Sequence, residues 1–189
     1  MPQPSEKLAL LRWHLDRYDR LRASTASRAS VVLSAGAILS AGNAVVLVRL
    51  IDGTDPPLDT TVALLFGAGL LTSIGLVVLS LIFATGVLVT PKASRETFTD
   101  GHDLPLALTF NPSDTVRELK TYAAFRTAVA DQGYAAMLEA AQVELWIGIR
   151  QHRLRYVRLR SAARVLRWAA VAFLVSLAGF VITVLSKAP

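Results

Sequence analysis

The three histidines, His14, His102 and His152, have the widest chemical range of any residues in this 189-residue chain, and their spacing exploits none of it. No two stand in an HxxxH or HExxH arrangement, so one helix face cannot turn a pair toward a metal ion. There is no cysteine, which excludes thiolate ligands, thiol nucleophiles and disulfides. The acids are scattered, without a DxD or a glutamate pair on one face, and no GxGxxG, P-loop or GxSxG occurs. The histidines therefore read as ordinary surface or packing residues. The chain reads as a non-enzyme with neither metal nor cofactor.

Arginine is the chemistry that remains. Arg150, Arg153, Arg155, Arg158, Arg160, Arg164 and Arg167 crowd one stretch, and no acid follows Glu144. Beside a bilayer such a cluster stops translocation and contacts anionic lipid, at about 1 kcal/mol per residue. Some of its members, Arg150, Arg153 and Arg155 first, could instead clamp a phosphate through bidentate hydrogen bonds. The composition fits a basic partner surface, with 20 Lys and Arg against 14 Asp and Glu and a net charge of +6. The mean hydropathy is +0.46 and 53% of residues are apolar, more than a soluble domain of this length buries.

The elements that position these arginines are long helices. Ser5 to Arg22 places Leu8, Leu11, Leu15 and Tyr18 at helical spacing between charges, which predicts an amphipathic helix over 1–28. Because charges break up Met1 to Leu21, no cleavable leader is expected, and the first apolar run is expected to serve as the insertion signal. That run, 29–51, has Arg49 as its only charge, near enough to its end to snorkel; it makes roughly 34 Å of helix, against a hydrocarbon core of about 30 Å. Residues 52–61 form a turn-rich loop whose charges are all acidic, and 62–90 is an uncharged second span long enough to tilt. Pro91 marks its stop.

From 91 to 164 the chain is polar. A folded loop with a short strand at 104–110 is expected, then a helix opened by Asn111-Pro-Ser-Asp114 and running to about Ala130. Gln132-Gly133 interrupts it. A second helix from Tyr134 carries the stripe Leu138, Ala141, Leu145, Ile149, His152, Tyr156, Leu159 and Ala163, and is expected to run unbroken into a third span at 165–186. The fold class expected is thus an all-α integral membrane protein: three transmembrane helices, an amphipathic N-terminal helix, and a helical sensor or stalk domain continuous with the last span. Basic residues flank the first span's start and follow the second, while the first loop has none. The N-terminus and 91–164 are therefore expected in the cytoplasm, with 187–189 outside.

Inside the spans, small residues four apart on the first (Gly36 and Ser40; Ala37 and Ala41, with Gly42) and similarly spaced on the second (Gly67, Gly69 and Ser73; Ser80 and Ala84) allow helices to approach closely, either within one chain or between copies. Asn43 is the one strongly polar side chain well inside a span. Two roles are open to it, holding helices together or lining water.

In order along the chain, several of these features resemble the transmembrane effectors of bacterial Pycsar anti-phage systems. A charged helix enters the first span through Ser27-Arg-Ala-Ser30, where that family shows Asp-x-Lys-Ala-Ser; the acid is missing here. Pro91 follows the second span, an apolar patch comes at Leu106-Ala-Leu-Thr-Phe110, and the family's Lys-Tyr-x-x-Leu-x-x-Ala reads Arg155-Tyr-Val-Arg-Leu-Arg-Ser-Ala162. The resemblance implies an inner-membrane protein that senses cyclic UMP or cyclic CMP and answers by impairing membrane integrity, as a homo-oligomer. It places ligand coupling at Arg155 and Tyr156, and implies the bilayer and further copies as partners, with no nucleic acid polymer. The rival readings are a constitutive channel or transporter subunit, and a membrane-anchored scaffold for a partner protein or anionic lipid.

Overall fold

A computed structural model describes residues 4–53, 58–89, 116 and 119–187. The architecture is all-helical, with no strand among the described residues. The helices given by the described residues are, in order, α1 (Pro4–Ile51), α2 (Thr60–Leu88), α3 (Tyr122–Ala130) and α4 (Tyr134–Lys187). The first, second and fourth are long and apolar enough to cross a membrane, which points to a membrane location.

The described part of the amphipathic segment 1–28 and the first span 29–51 of the sequence reading form one unbroken 48-residue helix, α1. Nothing in the sequence stops it, since no glycine or proline falls between Pro4 and Gly36. It ends just before Gly53, whose φ of +89° suits a residue without Cβ. Asp59 caps α2, its Oδ1 accepting from Thr61 N at 2.9 Å, so the helix starts two residues before the expected 62. The helix expected to run from Asn111 to Ala130 ends at Ala130 but is not continuous: Val116 is helical, and a break follows. Residues 119–121 are not helical, and the Thr121 hydroxyl accepts from Ala124 N at 3.2 Å to open α3. Pro91, the expected strand at 104–110, the cap at Asn111 and the patch Leu106–Phe110 lie outside the described residues.

The chain divides into two compact units: 1–24 with 90–154, and 25–89 with 155–189. In the first, Leu8, Leu11, Leu15 and Tyr18 are half-buried on α1, as their spacing predicted, and His14 joins them. Tyr18 meets His152 of α4 edge to face, with ring centroids 5.9 Å apart. Ala140, Ala141 and Ile147 are buried on α4 in the same unit.

The second unit is a three-helix bundle built on a 3.5-residue repeat. The buried positions of α2 are Leu70, Ser73, Val77, Ser80, Ala84 and Val87, alternating steps of three and four. α4 buries Arg155, Leu159, Ala162, Ala169 and Ser176, and α1 buries Thr25, Ala29, Val32, Gly36 and Asn43, in steps of three, four or a whole seven that keep the same repeat. At one end Ala29, Val32, Ala84, Val87, Leu159 and Ala162 close into a single core. Small side chains dominate these seams, so the backbones come close. A methyl added at Gly36 would stand 2.9 Å from Leu81 Cδ2, and one at Gly69 would overlap the Ser176 hydroxyl. At the other end Phe66 crosses Phe180 edge to face at 6.1 Å. Large apolar side chains point outward instead, as at Ile38, Leu64, Val175 and Ile182, each about two-thirds exposed or more. That outer surface suits hydrocarbon rather than water.

Candidate functional site

Polar atoms join the three long helices at two levels of the bundle. Ser73 on α2 donates its hydroxyl to the Ala169 carbonyl of α4 at 2.9 Å, and receives a 3.1 Å bond from the Asn43 amide of α1. Seven residues further along α2, Ser80 donates to the Ala162 carbonyl at 2.9 Å, seven residues back along α4. The matched steps fix α2 and α4 as an antiparallel pair in one register. All the side chains in these links, Asn43, Ser73 and Ser80, are wholly buried. Towards the end of α2, Arg158 reaches the Gly86 carbonyl at 2.7 Å and satisfies one of the acceptors that a helix terminus leaves open.

Hydroxyls on the outer faces turn inward to their own helix. Thr72 bonds the Ala68 carbonyl at 2.8 Å, Thr85 that of Leu81 at 2.9 Å and Thr183 that of Gly179 at 2.8 Å. Each is thus satisfied without a partner outside its helix, as an apolar surrounding demands.

Of the residues singled out in the spans, the structure gathers Gly36, Asn43 and Ser73 on the bundle seam. Ser40 is half-buried on α1, and Gly67 has only ordinary room, with Leu50 3.6 Å from a Cβ placed there. Ser80 and Ala84, marked in the sequence as small packing residues, are buried on that seam too, but the bond from Ser80 was not legible, because a hydroxyl that binds a backbone carbonyl depends on helix register and leaves no pairing signal in the sequence.

The arginine group separates. Arg150 and Arg153 are exposed in the first unit. In the second, Arg155 is only 7% exposed while Tyr156 is 51% exposed. The apolar stripe of α4 therefore passes through Arg155 at this turn and not through Tyr156, as the sequence reading had it. Steps of 152→155→159 and 152→156→159 fit a helix equally well, and apolarity favoured the wrong one.

Among the described residues no group of three His, Cys, Asp or Glu stands together to hold a metal ion. The chain matches no family model, no curated protein and no solved structure.

Two expected results arise from this geometry. Ser73→Ala removes the acceptor for an Asn43 amide hydrogen and should destabilise the bundle by about 0.6 and at most about 1.7 kcal/mol. Asn43→Leu removes donor and acceptor together and should cost less than Ser73→Ala, or stabilise. Denaturant titration of the two variants in one detergent checks the order.

In the first unit the Glu144 carboxyl sits partly desolvated beside the packed face of α4, with the Asp19 carboxylate a second cause, and its pKa is raised above 4.5. More than a third of the residue remains accessible, so the effect is a modest one. A raised folded pKa means the proton is held more tightly in the folded form. The stabilisation is complete below pH 4.5 and is lost as pH rises through the raised value. Glu144→Gln should therefore abolish this acid-side gain and make the first unit more stable than wild type at neutral pH. Amide exchange of residues 140–150, followed from pH 4 to 8, reads both effects.

Proposed function

We propose that the chain is a membrane effector of anti-phage defence, activated by a cyclic pyrimidine mononucleotide and impairing inner-membrane integrity. The observation that carries the reading is α4, a single helix from Tyr134 to Lys187 with no glycine or proline between Gly148 and Gly179. It contributes to both units, bonds α2 at Ala162 and Ala169, and bears the arginine cluster. A change in packing around its first half is a change imposed on the helix that the other two spans hold.

In this reading the N-terminus and the first unit face the cytoplasm, where Arg150 and Arg153, both exposed, receive the anionic phosphate of the ligand. Arg155 and Tyr156 couple the ligand to packing, Arg155 from within the seam. Further copies associate through α1, where Ala37 and Ala41 stay exposed on the side away from Asn43.

The test uses the purified full chain in dye-loaded vesicles of bacterial lipid, titrated with cyclic UMP, cyclic CMP and, as controls, cyclic AMP and cyclic GMP. The expected result is release triggered by a pyrimidine nucleotide alone. Release without any nucleotide returns the constitutive channel, and tight vesicles under every nucleotide return the scaffold. Either outcome sinks the proposal.

A further inference from the structure

The amide of Asn43 has a forced orientation. The Leu39 carbonyl lies 2.9 Å from its nitrogen, and a carbonyl only accepts, so the Nδ2 side must face it. The Ser73 hydroxyl has one proton, committed at 2.9 Å to the Ala169 carbonyl, which also only accepts. At the 3.1 Å contact between the two side chains, Ser73 Oγ is therefore the acceptor and the second amide hydrogen of Asn43 the donor. Three protons are used on three acceptors, and the order cannot be reversed without setting two oxygens against each other.

Oδ1 is left over. It is buried, the whole residue is 0% exposed, and no donor among the described residues reaches it. Backbone N–H groups in the middle of α1, α2 and α4 are held in their own helices and cannot be diverted to it. An amide oxygen set among apolar helices without a donor is the kind of group that stable folds match with protein or with ordered water.

We infer that Asn43 Oδ1 binds a water molecule lodged in the seam of the three long helices. Ser40 stands one turn earlier on the same side of α1 and is half-buried, placed to give that water a second hydrogen bond. The site takes a small neutral donor. Asn43 Oδ1 is the one unmatched buried side-chain oxygen among the described residues, and one is too few ligands for a cation. The inference does not depend on any signalling role, since it rests on the bonds around Asn43 alone.

Proton-detected solid-state NMR of the labelled full chain in lipid bilayers tests it, with magnetisation transferred selectively from water. The Asn43 side-chain amide hydrogens should gain signal at short mixing times, as Gly53 does, while the backbone amides of Leu71 and Val78 on the outer face stay dark. Asn43→Leu should abolish water transfer to Leu39 and Ser73 and leave the Ser80 region unchanged. Build-up at the Asn43 amide no faster than at Val78 overturns the inference. So does a cross-peak from that side chain to a donor of a second copy. Both readings are made on the unmodified protein, so a variant that fails to fold does not decide the matter.

Discussion

Ala162→Leu is expected to separate α2 from α4. Ala162 is wholly buried, packs with Ala29, Val32, Ala84, Val87 and Leu159, and offers its carbonyl to Ser80 at 2.9 Å. Three added carbons have no space to enter, and overpacking a tight core costs about 1–3 kcal/mol, occasionally more. The loss belongs at the top of that range, because the hydroxyl-to-carbonyl bond also requires the two backbones to stay close. Unfolding of the protein in detergent, followed by circular dichroism, measures it. Val157→Leu, at an exposed position of the same helix, should shift stability by no more than about 0.5 kcal/mol. Equal stability of the two variants would show that the seam is not closely packed.

The second large effect concerns transmission along α4. Leu154 and Val157 are both more than half exposed and flank the point where one unit gives way to the other. Leu154→Gly with Val157→Gly keeps the helix length and phase but loosens it, at about 1 kcal/mol per glycine. If α4 carries the signal, nucleotide binding should persist while nucleotide-triggered release from vesicles disappears. The alanine pair at the same positions should retain both. Full release from the glycine variant would exclude transmission through an intact helix, whatever the ligand.

Much of the bundle is legible in the sequence. Three apolar runs of spanning length identify the three long helices, and the spacing of Leu8, Leu11, Leu15 and Tyr18 marks the half-buried side of α1. Asn43 advertised its need for a partner by being polar inside a span. Its partner was not legible, because pairing with Ser73 depends on the antiparallel register of two helices, which neither sequence segment encodes alone. Arg155 was misplaced for a different reason. Charge reads as solvent face, yet the 3.5-residue repeat puts that position in the seam, where a long side chain can lay its stem along apolar neighbours. The change of composition near residue 28 marks no joint in α1, since a polar half and an apolar half are equally helical and neither glycine nor proline separates them.

The matched steps of Ser73 to Ser80 and Ala169 to Ala162 also govern how the gene for this chain can change in length. Two extra codons after the one for Ala162 would turn the rest of α4 by roughly 200°, swinging Ala169 and Ser176 out to the lipid and bringing the exposed Arg167 and Leu174 into their places in the seam. A gain or loss of one whole heptad returns every small residue to its groove. Among homologues, insertions and deletions inside these helices should therefore come in sevens, or as compensated pairs in α2 and α4, while the turn between α1 and α2 varies freely.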